Sequence, residues 1–118
     1  AAADLLTAVH EAAIAEGLIS GVTERLPGRR ITSVRVEIGA LSGVVPDALR
    51  FCFGLATEDT LLAGAELEIS EPSAKCDCVD CGASFEPEDH RILLCPCGSA
   101  NVRVVSGQQL LITSVKVA

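Results

Sequence analysis

A chain of 118 residues with 49% apolar content can bury one modest core, as an ordinary domain or a small domain with a satellite. A net charge of −7, with no Trp, no Tyr and only Phe51, Phe53 and Phe85, argues against nucleic acid as a partner, since that needs a basic patch for phosphates or aromatic faces for bases. No apolar run reaches the roughly 18 residues of a membrane span, and Ala1-Ala2-Ala3-Asp4 lacks the basic start of a secretory signal, so a cytoplasmic chain with no membrane partner is expected.

Ile14, Leu18 and Val22 recur at helical spacing, with Ala15 and Ile19 beside them, and Pro27-Gly28 ends the run. This predicts an opening amphipathic helix. The nearby Arg25, Arg29 and Arg30 read as a solvated turn. From Ile31 the period becomes two, Val34, Val36 and Ile38 alternating with Ser33, Arg35 and Glu37, which predicts a half-buried strand closed by Gly39. Pro46 suits the first turn of a second helix carrying Leu49, Phe51, Cys52, Phe53, Leu55 and Ala56, in which Cys52 is a small core residue.

After Gly64 the alternating Ala65-Glu66-Leu67-Glu68-Ile69 predicts a second strand, and Glu71-Pro72-Ser73 leads out of it. Five of the six cysteines then follow within one stretch, as Cys76-Asp-Cys78-Val-Asp-Cys81 and Cys95-Pro-Cys97-Gly. A short apolar segment, Val102 to Val105, a Ser106-Gly107 turn and a β-branched strand from Gln108 to Val117 complete the chain. The last strand is needed to finish the sheet, so the expected fold is α+β, a two-helix, three-stranded lobe with an inserted zinc-ribbon-like lobe. The corresponding division is residues 1–70 plus 106–118 for the first lobe and 71–105 for the second.

Two short thiol clusters joined by a loop can wrap one ion, and zinc favours such tetrahedral sulfur sites. A disulfide framework would spread its cysteines along the chain, and a reducing cytosol keeps them free. Cys78-x-x-Cys81 is the regular half. Cys95-x-Cys97 has a single intervening residue, so Cys97 is the expected fourth ligand, with Cys76 and His90 as alternatives. Four sulfurs would leave no position open to water, making the zinc structural. A thioredoxin-type dithiol is the competing reading, and the flanking Asp77 and Asp80 are expected to raise the thiols rather than activate them. His10, in line with Ile14, reads by spacing alone as a packed or surface histidine.

Val9-His10-Glu11-Ala12-Ala13-Ile14-Ala15-Glu16 resembles the start of the HypA/HybF hydrogenase maturation proteins. So do Val34-Arg-Val-Glu-Ile-Gly39-Ala-Leu-Ser-Gly43, Phe51-Cys-Phe53, the Cys78/Cys81 and Cys95-Pro-Cys97-Gly98-Ser99 pairs and Gly107-Gln-Gln-Leu-Leu-Ile112, from about Val9 to Val117. The resemblance implies a nickel metallochaperone for [NiFe]-hydrogenase, a carrier and not an enzyme. It implies a HypB-type GTPase and the hydrogenase large-subunit precursor as partners, and in some organisms the urease maturation proteins. It makes His10 the nickel (Ni2+) ligand with Glu11 beside it, and matches Cys78, Cys81, Cys95 and Cys97 to structural zinc (Zn2+) positions. In that family the terminal amine joins the nickel set, whereas eight residues precede Val9 here. Either Val9 marks an alternative start and Ala1 to Ala8 are an upstream remnant, or nickel is held without that amine. The alternative of another class is a zinc-ribbon interaction module that carries no nickel.

Overall fold

The computed structural model describes residues 2–89 and 92–118 and, of the first helix, the side chains from His10 onward. In chain order the elements are α1 (Ala2–Arg25), β1 (Ile31–Ile38), α2 (Pro46–Ala56), β2 (Glu66–Ser70), β3 (Lys75–Cys78), β4 (Ser84–Phe85), β5 (Val102–Ser106) and β6 (Leu110–Val117). They form two compact units, one of Ala1–Val36, Val44–Ser70 and Leu111–Ala118, the other of Glu37–Gly43 and Glu71–Leu110. The second unit thus takes in the end of β1 and its following turn as well as the cysteine segment. Among the described residues, no helix is long and apolar enough to cross a membrane.

In the first unit α1 and α2 pack together and the sheet order is β2-β1-β6. The buried stripe of α1 is Glu11, Ala15, Leu18 and Val22, spaced by four, three and four, with Ile14 only half-buried beside it. Leu26 N–H still bonds the Val22 carbonyl, and Gly28, at φ +74°, turns the chain out of the helix. α2 buries Leu49 and Phe53, one turn apart, and ends where the Thr57 hydroxyl donates to the Phe53 carbonyl at 2.8 Å. Val34 and Val36 of β1 are fully buried, and Leu62 and Leu67 complete this core. Cross-strand contacts between β1 and β6 run in opposite directions, Arg30 meeting Ala118, Thr32 meeting Lys116 and Arg35 meeting Thr113, so the pair is antiparallel. Those between β1 and the chain entering β2 advance in step, Arg30 meeting Ala63 and Arg35 meeting Glu68, as the α2 crossover requires of parallel neighbours.

The second unit contains an element pair that the sequence pattern did not disclose. β3 lies between β4 and β5, antiparallel to both, with Cys76 opposite Phe85 and Val104 and Asp77 opposite Ser84 and Arg103. Asp77 accepts the Ser84 hydroxyl at 2.7 Å and faces the Arg103 guanidinium at 3.7 Å. Two glycines of this unit meet backbone to backbone. Leu41 N–H donates to Gly107 at 2.6 Å and Gly39 N–H to Gln109 at 2.8 Å, while a Cβ on Gly39 would fall 2.2 Å from the Gly107 carbonyl carbon and oxygen. Gly107, at φ +114°, faces the Ala74 backbone in the same way.

Gly39→Ala is therefore expected to cost about 3 kcal/mol, because only backbone could yield. Gly17 sits in α1 with nothing within 4 Å of an added Cβ, so Gly17→Ala should stabilise by about 1 kcal/mol through helix propensity. Thermal unfolding of both variants checks the pair by the opposite directions of their Tm shifts.

Candidate metal centre

Two turns carry the clustered thiols. Cys78 ends β3, its amide bonded to the Ala83 carbonyl, and the Gly82 amide returns to the Cys78 carbonyl at 2.9 Å, closing the turn that holds Cys81. In the other turn Cys95 N–H donates to Ser99 and Gly98 N–H to Cys95. Gly82 and Gly98, each directly after the second cysteine of its pair, take φ of +76° and +96°, values open to glycine and strained for other residues. Asp80 and its neighbour stitch the turns together: its carboxylate accepts from the Ser99 hydroxyl and the Asn101 amide, and Val79 N–H donates to the Asn101 carbonyl.

The result is one group of four sulfurs, from Cys78, Cys81, Cys95 and Cys97, all within 4.8 Å of one another. Cys78 Sγ lies 3.8 Å from Cys97 Sγ and Cys81 Sγ lies 3.6 Å from Cys95 Sγ. A tetrahedron of sulfurs about 2.3 Å from a central zinc has edges of about 3.8 Å, so the group has the dimensions of that coordination. Each pair also has a backbone donor aimed at its first sulfur, Cys81 N–H at Cys78 (3.4 Å) and Cys97 N–H at Cys95 (3.5 Å), an arrangement that favours thiolate. Cys78 and Cys95 are buried, whereas Cys81 and Cys97 reach solvent. Cys76 is buried in β3 and stands outside the group. His90, the other alternative, lies outside the described residues. Cys52 is half-buried on α2 of the first unit.

The electrostatics depart from the sequence expectation that Asp77 and Asp80 raise these thiols. Asp77 is engaged by Ser84 and Arg103 and Asp80 by Ser99 and Asn101, and the sulfurs answer chiefly to amides and to each other. Cys78 is lowered to about 7, first by the Cys81 amide. For Cys81 the Ala83 amide and the Cys95 sulfur pull downward, but the Cys78 sulfur, burial and Cys97 outweigh them and its thiol is raised. Cys95, opposed by the Cys97 amide, is pushed up to about 12 by burial and the three neighbouring sulfurs.

His10 and Glu11 occupy another setting, on α1 of the first unit. Adjacent helix positions point about 100° apart. His10 is exposed, and Glu11 is fully buried on the Ala15 stripe. Glu11 Oε1 accepts the Val45 amide at 3.2 Å, at the extended residue before Pro46, where Val45 offers no capping side chain. Glu11 Oε2 is buried with no hydrogen-bond partner among the described residues. Sequence reasoning missed this contact, although its signals were present in the spacing of Glu11 to Ala15, Leu18 and Val22 and in an uncapped Val45-Pro46 helix start.

Fold and site together define a two-unit α+β protein with a closed, four-sulfur metal-binding cluster. The family described as hydrogenase/urease nickel incorporation, metallochaperone, HypA matches residues 9–117, and the chain belongs to it. Curated relatives agree. The hydrogenase maturation factor HypA of Geobacter metallireducens (strain ATCC 53774 / DSM 7210 / GS-15) is 42% identical over 110 residues, covering 92% of this chain and 99% of that one. The protein of the same name from Nostoc punctiforme (strain ATCC 29133 / PCC 73102) is 37% identical over 109 residues, 92% of this chain and 96% of that one. The fold is similar to the solution structure of the Ni metallochaperone HypA from Helicobacter pylori, with TM-score 0.61 at 23% identity over 91% of this chain and 96% of that one.

Because Cys81 and Cys95 hold their protons at neutral pH without metal, capture of an ion as thiolates must expel at least two protons. Metal affinity is expected to fall as pH is lowered, since protons then compete for the same sulfurs. Titration calorimetry of the metal-free protein in buffers of different ionisation enthalpy measures the number released.

Proposed function

We propose that this chain carries nickel for the maturation of [NiFe]-hydrogenase and keeps a structural zinc in the four-cysteine cluster. The observation that carries the reading is the family match, which begins at Val9 beside the exposed His10 and runs through a sulfur cluster of tetrahedral dimensions. In this assignment Cys78, Cys81, Cys95 and Cys97 hold zinc, which needs no redox chemistry and suits sulfur, and when bound it cross-links the two turns. Nickel is cargo. Imidazole and other nitrogen donors suit nickel(II), so the exposed ring of His10 is its proposed ligand. Glu11 contributes from the buried side, its bond to Val45 N–H anchoring the helical turn that presents His10. The proposed partners are a HypB-type GTPase and the hydrogenase large-subunit precursor, with urease maturation proteins as further recipients, in the cytoplasm, where thiols stay reduced.

Nickel titration calorimetry of the zinc-loaded protein tests the carrier role. His10→Ala is expected to weaken nickel binding by at least about tenfold, and equal binding by both forms would remove His10 from the site. No nickel binding by the unaltered protein, before or after removal of residues 1–8, would favour a zinc-ribbon interaction module. Native mass spectrometry should find one zinc per chain, kept by His10→Ala and lost by Cys81→Ser. Zinc retained by Cys81→Ser would break the proposed ligand set.

A further inference from the structure

The two turns of the sulfur cluster close by the same pair of bonds over different lengths. In the first, Gly82 N–H returns to the Cys78 carbonyl and Cys78 N–H donates to Ala83. In the second, Gly98 N–H returns to Cys95 and Cys95 N–H donates to Ser99, with one residue fewer between the cysteines. Zinc turns ordinarily leave about two to four residues there, so Cys95-Pro96-Cys97 has little slack with which to aim both sulfurs. Support from the sheet is also unequal. Cys78 ends β3, which has a strand on either side, whereas residues 93–101 lie in no strand. What the shorter turn has is Ser99, where the first turn has Ala83. The Ser99 hydroxyl donates a short, charge-assisted bond to Asp80 Oδ2 at 2.5 Å and accepts Asn101 N–H at 3.0 Å, and Asn101 Nδ2 donates to Asp80 Oδ1 at 3.4 Å. Asn101 is itself placed by the sheet, its carbonyl taking Val79 N–H at 2.9 Å one step beyond the Cys78 and Val102 pair of β3 and β5.

We propose that Asp80 is a positioning residue for metal capture, holding the short Cys95 to Cys97 turn where its sulfurs share one centre with Cys78 and Cys81 and so compensating for the residue that turn lacks. The inference rests on the proposed assignment of zinc to this cluster. Asp80 is not a member of the sulfur group and acts through Ser99 and Asn101. A donor set aligned before the ion arrives has less order left to gain on binding, so affinity depends on what aligns the sulfurs as well as on the sulfurs. The other way a carboxylate could act is by its charge, and Asp77 separates the two. Asp77 and Asp80 each stand directly before a cysteine of the cluster, but Asp77 bonds Ser84 and Arg103 within the sheet and bridges no turn.

Zinc affinity of the reduced full chain, measured by competition with a chromophoric chelator, is expected to fall about tenfold in Asp80→Ala and in Ser99→Ala, the lower end of the range for groups that orient metal ligands, because this carboxylate is exposed. The double variant should lose no more than the larger single loss, since both changes remove one bond. Asp80→Asn keeps an acceptor oxygen for Ser99 and should recover most of the affinity, while Asp77→Asn should bind zinc as the unaltered protein does. Full affinity in Asp80→Ala, additive losses in the double variant, no recovery in Asp80→Asn, or an equal loss in Asp77→Asn would each overturn the inference with the zinc assignment intact. Absence of zinc binding by the unaltered protein would instead overturn that assignment, and the inference with it.

Discussion

The second unit has almost no hydrocarbon with which to hold itself together, and this makes its sulfur cluster the constraint on which the rest of that unit depends. Three of its buried side chains are cysteines, Cys76, Cys78 and Cys95, joined by little more than Ile38 and Ala74, while Val79, Ile92, Leu94 and Val105 stay exposed. Ordering a chain costs about 1 to 2 kcal/mol per residue in backbone entropy alone, more than such a core returns. A bound ion changes the balance, since zinc binding in small peptides is worth about 10 to 16 kcal/mol, comparable to the whole stability of an ordinary domain. The surrounding details serve the same end. Gly82 and Gly98 allow the two tight turns, and Asp80 ties one turn to the other.

In the first unit the governing constraint is the phase of one helix. A shift of one residue along α1 separates water from core, so His10 and Glu11, neighbours in sequence, are assigned to opposite surroundings. The imidazole of His10 faces solvent, and the side chain of Glu11 accepts the Val45 amide. A buried carboxylate with one oxygen unpartnered is costly. It stands where an alanine would complete the apolar stripe, and its bond to Val45 ties α1 to the start of α2.

Both helices, β1 and β2 were legible from apolar periodicity and β6 from its β-branched composition, each beside a Pro or Gly that starts or stops it. Spacing alone made Cys78, Cys81 and Cys95 legible and left Cys97 in competition with Cys76 and His90, a choice that only the gathering of the four sulfurs in space resolves for Cys76. What escaped was structure whose cause is not hydrophobic periodicity. β3 reads Lys-Cys-Asp-Cys and its alternation is that of thiols, so it passed for part of a metal loop, and two-residue β4 has no period at all. The Gly39 and Gly107 crossing depends on contacts far apart in sequence, which leave only an unremarkable glycine at each place. Likewise Asp77 and Asp80 counted as bare charges next to thiols until their partners Arg103, Ser84, Ser99 and Asn101 were located in space.

A carrier must retain one ion and surrender another, and the two proposed donor sets differ in the properties that decide which. The sulfur set is closed, two of its four members are buried, and amides point at one sulfur of each pair. Release there would require returning protons to Cys78 and Cys95 inside the fold and abandoning the coordination that organises the unit. His10 offers one exposed ring on a helix whose packing face lies elsewhere. An ion held by it keeps positions open to water and to incoming ligands of a recipient, so it can be exchanged stepwise without unfolding anything. In the proposed assignment retention and release would follow from burial and donor number, with sulfur and imidazole sorting the two metals between them.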